Sequence, residues 1–209
     1  MKLRWSFIVC LMTLTMQAQD FEGVITYKSE YPINKTALSN DELKKELGTD
    51  VTTYFKNGYY KELTNSRFIS YQLFRHNDSM VYYKHNIKSD SLFYSKVNTD
   101  KKETFSYKIE KRTDTILGYI CDKLIVEDGY GTKTYYYTSE LSLNPEYYKN
   151  FTVGNKYDIM KLMKAIYLKL EMTYDAISVR VVATEVKKQK LENSVFDIPK
   201  HQYIIEQNM

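Results

Sequence analysis

Val51-Thr-Thr-Tyr-Phe-Lys56, then Asn57-Gly58, then Tyr59-Tyr-Lys-Glu-Leu-Thr64 is the stretch whose reading decides the fold. Two runs rich in β-branched and aromatic residues flank a dipeptide that accepts positive φ angles, and the resulting two-residue turn matches the twist of paired strands. The stretch predicts an antiparallel hairpin. A second signal is YLKLEMTY, residues 167–174, where Leu168, Leu170, Met172 and Tyr174 alternate with Lys169, Glu171 and Thr173. One face packs and the other meets water.

Outward from these segments the same texture recurs. Strands are predicted at 21–31, 67–75, 79–85, 91–96, 104–111, 121–127, 132–138 and 177–190, separated by turn signals such as Asn77-Asp78, Asn98-Thr99-Asp100 and Asp128-Gly129-Tyr130-Gly131. With the others, roughly ten or eleven strands result, and a sheet of about that size curls, splits into layers or closes. Only 3 prolines and 7 glycines occur, with no linker and no internal repeat. The reading is one β-rich domain over residues 19–209.

Two helices interrupt the strands. Ser39 to Glu42 has capping-box spacing, and Gly48 supplies a stop. The second helix is predicted over 156–166, because Ile159, Leu162, Met163 and Ile166 fall at i, i+3, i+4 and i+7 and leave Lys156, Lys161 and Lys164 outside.

The N-terminus reads MKLRWSFIVCLMTLTMQAQ, with Lys2 and Arg4 ahead of an apolar run from Trp5 to Met16. This predicts a cleavable signal peptide over residues 1–18, with the cut after Ala18 give or take two residues, and hence an exported protein, periplasmic or extracellular. Cys10 lies inside the run, whereas a lipidated cysteine would follow it. The run falls short of the roughly 20 apolar residues a spanning helix needs, and no later segment approaches them. No integral membrane segment is expected in the mature chain.

Of the 2 cysteines, Cys10 would leave with the signal and Cys121 would stand alone, so no intramolecular disulfide is expected. Burial as a small hydrophobe and an intermolecular bridge are the two readings for Cys121. The formal charge is +4, of which Lys2 and Arg4 contribute +2, and this is no electrostatic footprint for nucleic acid. His76, His85 and His201 have no Cys or carboxylate neighbours at ligand spacing, and no metalloprotease, EF-hand, phosphate-loop or nucleophile-elbow motif occurs. No metal, cofactor or catalytic activity is expected. A hydrolase assembled from dispersed residues is the competing view.

The chain holds 21 tyrosines in 209 residues, among them Tyr59-Tyr60, Tyr82-Tyr83, Tyr135-Tyr136-Tyr137 and Tyr147-Tyr148. An apolar ring with a polar tip suits a ligand cavity, a wet interface or simply a half-exposed sheet. Consecutive tyrosines point to opposite faces, so they cannot all line one pocket. Met160, Met163 and Met172 suit either core filling or an adaptable apolar site.

Gly118-Tyr119, Cys121 and Lys123, followed by the Tyr-rich YYTSELSLNPEYY and a closing VFDIP, resemble a group of exported Bacteroidetes proteins, the domain-of-unknown-function and GLPGLI-type families, over about residues 112–199. FEGVITYKSEY is a counterpart at the N-terminal end, whereas the GLPGLI hexapeptide itself is absent and YKNFTVGNKYDIMKLMKAI stands in its place. The resemblance implies a fold similar to the lipoprotein carriers LolA and LolB: mainly β, a strongly curved antiparallel sheet forming an unclosed barrel, with two helices on its concave side.

A carrier of that shape would hold a lipid or another apolar small molecule between sheet and helices. The candidate ligand contacts are then Ile159, Leu162, Met163 and Ile166 on the helix, facing Leu168, Leu170 and Met172 on the sheet. The same residues equally make a filled core. The alternative function is a cell-envelope interaction module that docks a partner protein through a tyrosine-rich surface.

Overall fold

The computed structural model describes residues 20–85, 90–98, 103–200 and 203–207. Residues 1–18, on which the expected signal peptide and Cys10 fall, and His201 lie outside the described residues. The strands are β1 (Gly23–Glu30), β2 (Asp50–Lys56), β3 (Tyr59–Thr64), β4 (Tyr71–Arg75), β5 (Met80–Lys84), β6 (Ser91–Lys96), β7 (Ser106–Ile116), β8 (Tyr119–Asp128), β9 (Gly131–Ser142), β10 (Ala165–Thr173), β11 (Ser178–Lys188) and β12 (Tyr203–Glu206). The helices are α1 (Asn40–Leu47) and α2 (Lys156–Met163).

All the strands join one unclosed sheet in the order β12-β6-β5-β4-β3-β2-β1-β11-β10-β9-β8-β7. Two meanders, β1 to β6 and β7 to β11, are sewn together by the antiparallel pairing of β1 with β11. The mainly β architecture, the two helices and the large open sheet agree with the sequence reading. β12 was not foreseen: it follows no turn signal and pairs parallel to β6, with all four of its residues exposed.

The Asn57-Gly58 turn forms as expected, with φ of 47° and 77°. It sets Phe55 opposite Tyr60 and Thr53 opposite Glu62, and β4 continues the register with Phe74 opposite Tyr60 and Gln72 opposite Glu62. Because strand side chains alternate, these residues share one face with Ile25 and Tyr27, while Tyr59 and Leu73 share the other. The first face carries the main core, into which α2 inserts Ile159, Met160 and Met163. The second face is covered by the chain after β11, where Leu191 and Phe196 pack on Leu73, Tyr82 and Leu92.

The two helices depart from the expected placement. α1 has its capping box, with the Glu42 N–H donating to Ser39 Oγ at 3.3 Å and the Ser39 N–H donating to Glu42 Oε2 at 2.9 Å. It does not plug the sheet, however: Leu43 is its single buried residue and belongs to neither core cluster. α2 stops at Met163 rather than Ile166, because Lys164 adopts the left-handed conformation and donates its N–H to Met160 O at 2.8 Å. Ile166 therefore belongs to β10.

Cys121 is fully buried on β8, and burial raises its thiol pKa, so it packs as a small hydrophobe. Of the tyrosines, all but Tyr107, Tyr130 and Tyr203 are buried or half-buried, which favours the sheet-forming reading of their abundance.

Gly58 has positive φ, and a Cβ there would overlap the Tyr147 ring. Gly58→Ala is expected to lower the unfolding free energy by about 2–3 kcal/mol, roughly 1 from the backbone and the rest from the overlap. Urea denaturation of the two proteins checks this; an unchanged midpoint would contradict the turn assignment.

Candidate functional site

The β2–β3 hairpin, β4, β10 and α2 line a half-open cavity of ≈190 Å³. Thr53 and Phe55 come from β2, Tyr60 and Glu62 from β3, and Gln72 from β4. Parity in the hairpin brings these five to one face. Tyr148 arrives from the single turn of 3-10 helix at Pro145–Tyr148. α2 supplies Lys156 and Met160, and β10 supplies Ile166 and Tyr167. Ile166 and Tyr167 are neighbours that would ordinarily face opposite ways. The β10–β9 register is irregular on both sides of Tyr167, and such irregularities re-aim side chains.

Rings stiffen the wall. Tyr60 stacks on Phe74 with centroids 5.6 Å apart, and Phe74 stacks on Tyr148 at 5.2 Å. The Tyr60 hydroxyl donates to Gln72 Oε1 at 3.2 Å, and the Thr53 hydroxyl donates to Glu62 Oε2 at 3.4 Å. The Tyr27 hydroxyl behind the wall donates to the Tyr167 carbonyl at 3.0 Å.

Two ionisable groups face each other in this setting. Glu62 and Lys156 keep some accessible surface, as cavity-lining groups do, but protein surrounds both. Desolvation raises the Glu62 pKa against the opposing pull of Lys156 and the Thr53 hydroxyl. Desolvation also lowers the Lys156 pKa to about 8, with Glu62 pulling the other way. They influence one another without forming an ion pair. Among the described residues, Lys156 has no hydrogen-bond acceptor at all.

Helical periodicity places Lys156 on the outward face of α2, and the structure corrects this by turning it into the pocket. Gly154 and Asn155 are both left-handed, which kinks the chain just before α2 and lays its first residue over the sheet. Helical periodicity does not govern a residue at that position.

Of the apolar residues predicted as ligand contacts, Ile166 lines the cavity. Ile159, Met163, Leu168 and Leu170 are buried in the main core, and Leu162 packs partly buried against it. Met172 also packs against the core and lines a separate surface cleft with Pro32 and Ile33. Glu62, Tyr60, Gln72, Tyr148 and Lys156 were missed. The available signal was the hairpin itself: once Phe55 and Tyr60 face the core, Glu62 must as well.

A wider cleft of ≈320 Å³ lies between Asp20, Phe21, Glu22, Glu140 and Lys188 to Lys190. Apart from Phe21 its named walls are charged or polar, which suits water better than an apolar ligand. Among the described residues no cluster of His, Cys, Asp and Glu could hold a metal ion, and no helix is long and apolar enough to cross a membrane.

No protein-family model matches the chain, and no curated protein matches it in sequence. Among solved structures it is similar to PNGF-II, with a TM-score of 0.52 and 17% identity over 90% of this chain and 31% of that one. The chain thus spans under a third of PNGF-II, and the likeness concerns the fold alone. A weaker likeness is to LprF from Mycobacterium bovis, with a TM-score of 0.32 and 9% identity over 81% of this chain and 88% of LprF.

The lowered Lys156 pKa fixes a pH dependence. The unfolded chain binds this proton up to about pH 10.5 and the folded chain only to about pH 8, so stability rises with pH between the two. The gain is expected to be on the order of 2–3 kcal/mol. Urea titrations at pH 7.5, 8.5 and 9.5 should show the rise in the wild type and its loss in Lys156→Met. Equal pH profiles would place the ammonium in solvent.

Proposed function

We propose that this chain is an exported, non-enzymatic binding protein of the cell envelope that holds a small amphipathic molecule in the cavity beneath α2. The carrying observation is the cavity itself: aromatic and aliphatic walls with a few convergent polar groups, which is the usual composition of a ligand site. The open sheet with α2 against its inner face supports the carrier-like reading of the Gly-Tyr-x-Cys-x-Lys element.

Size narrows the ligand. An apolar cavity of about 150 Å³ accepts benzene, and pockets for drug-sized molecules run from about 300 Å³ upward. At ≈190 Å³ the site takes one ring or a short chain, or the tip of an acyl chain, rather than a whole lipid. Phe55, Tyr60, Tyr148, Met160, Ile166 and Tyr167 form the apolar grip, and Glu62, Gln72 and Lys156 meet the polar end. The docking-module alternative has less support, because the exposed tyrosines Tyr107 and Tyr130 belong to the β7–β9 end of the strand order and Tyr203 to β12 at the other.

Native mass spectrometry of the protein purified from a bacterial periplasm, before and after organic extraction, tests the proposal. The expected result is an adduct of one small organic molecule, at least tenfold depleted in Met160→Trp, which fills the cavity from the helix side. A protein free of adducts that also takes up no ring-bearing amphiphile from a mixture would overturn it.

A further inference from the structure

The cavity's hydrogen-bonding capacity is lopsided. Three of its acceptor oxygens are engaged, Gln72 Oε1 by the Tyr60 hydroxyl, Glu62 Oε2 by the Thr53 hydroxyl and the Tyr167 carbonyl by the Tyr27 hydroxyl, while Glu62 Oε1 receives no hydrogen bond from a described residue. The Lys156 ammonium and the hydroxyls of Tyr148 and Tyr167 make no hydrogen bond with any described residue, although all three residues line the space. These three donor atoms keep some contact with solvent, but an ammonium drawn into a largely apolar pocket without an acceptor is still poorly solvated. The complementary ligand group is an anionic acceptor.

Building on the binding role above, we infer that the ligand is a small monocarboxylate with an apolar tail, that its carboxylate docks on Lys156, and that Glu62 takes up a proton as it enters. The carboxylate completes a charge-assisted contact that Glu62 does not make. Its arrival puts a second negative charge beside Glu62, and two carboxylates sharing one site cannot both stay ionised. The proton comes from solvent, and protonated Glu62 becomes a donor rather than a repelling charge.

The groups that face the pair are Tyr27 on β1, Tyr60 on β3, Tyr148 on the turn before α2 and Tyr167 on β10, with Asp20 acting on Tyr148. Burial pushes all four phenols above their ordinary range, so they stay protonated donors at neutral pH. Both linked ionisations then act in one direction. Rising pH makes Glu62 harder to protonate and, near pH 8, removes the Lys156 charge. Affinity falls as pH rises.

Isothermal titration calorimetry with 3-phenylpropionate, 3-phenylpropan-1-ol and 3-phenylpropylamine, which share one ring and one tail, tests the inference on the full mature chain. At pH 6.5 the acid is expected to bind at least tenfold more tightly than the alcohol, with the amine weakest. Repeating the acid titration in buffers of different ionisation enthalpy should show net proton uptake, lost in Glu62→Gln. Lys156→Met should bring the acid down to the affinity of the alcohol, and a cooperative urea transition shows that the variant is folded.

If acid and alcohol bind equally, or the amine binds best, the carboxylate inference is overturned and the cavity-binding role stands. If none of the three binds and Met160→Trp matches the wild type in the native mass spectra, the role itself fails and the inference with it.

Discussion

The two-residue turn at Asn57-Gly58 sets the phase of the first six strands, and everything within the sheet inherits it. Side chains alternate with a period of two, so a slip of one residue would exchange every inward group for an outward one. In the observed phase Phe55, Tyr60 and Phe74 enter the core, and Tyr59 turns to the opposite face, where it stacks on His76 with centroids 4.6 Å apart. The same phase forces Glu62 inward and leaves Leu63 more than a third exposed. The hairpin thus accepts an inward-facing, half-buried carboxylate and an exposed leucine, an inversion of the usual pattern. Such an inversion in an otherwise regular strand is what a polar site built into a sheet looks like.

Lys156 is the other half of that exception. It stands at the start of a helix whose later residues, Ile159, Met160 and Met163, are ordinary core. Neither charged group neutralises the other by direct contact, and each is shifted toward its uncharged form by the surrounding protein. Elsewhere the sheet handles its charges differently: Lys169 pairs with Asp114 at 2.8 Å, and Lys133 with Asp128 at 2.7 Å. The contrast sets the cavity apart from the general accommodation of charge in this fold.

Much of the fold was legible because the strands declare themselves through alternation and turn chemistry. The hairpin and the α1 capping box rest on interactions between residues close in the chain, and those are the ones sequence patterns report. β12 was illegible because a short parallel edge strand has neither a turn before it nor a buried face to impose alternation. The cavity was largely illegible for a related reason. Reading lysine and glutamate as outward is right on average, and apolar residues at helical spacing are the ones that fill cores. Of the apolar candidates only Ile166 borders the cavity, through a register irregularity that no local pattern announces.

The seam between β1 and β11 has a kinetic side. Gly23 pairs with Lys188, so the strand that is synthesised first waits for nearly the last before its edge is covered. Contacts so distant in sequence slow folding, and an uncovered strand edge invites pairing with other chains in the interval. Until β11 arrives, β1 to β6 can form a meander with β1 as an open margin, and the core face that α2 later occupies is bare. A chain threaded across a membrane from its N-terminus would meet this interval at its far side, where protection of the β1 edge during assembly would govern yield more than the stability of the finished sheet does.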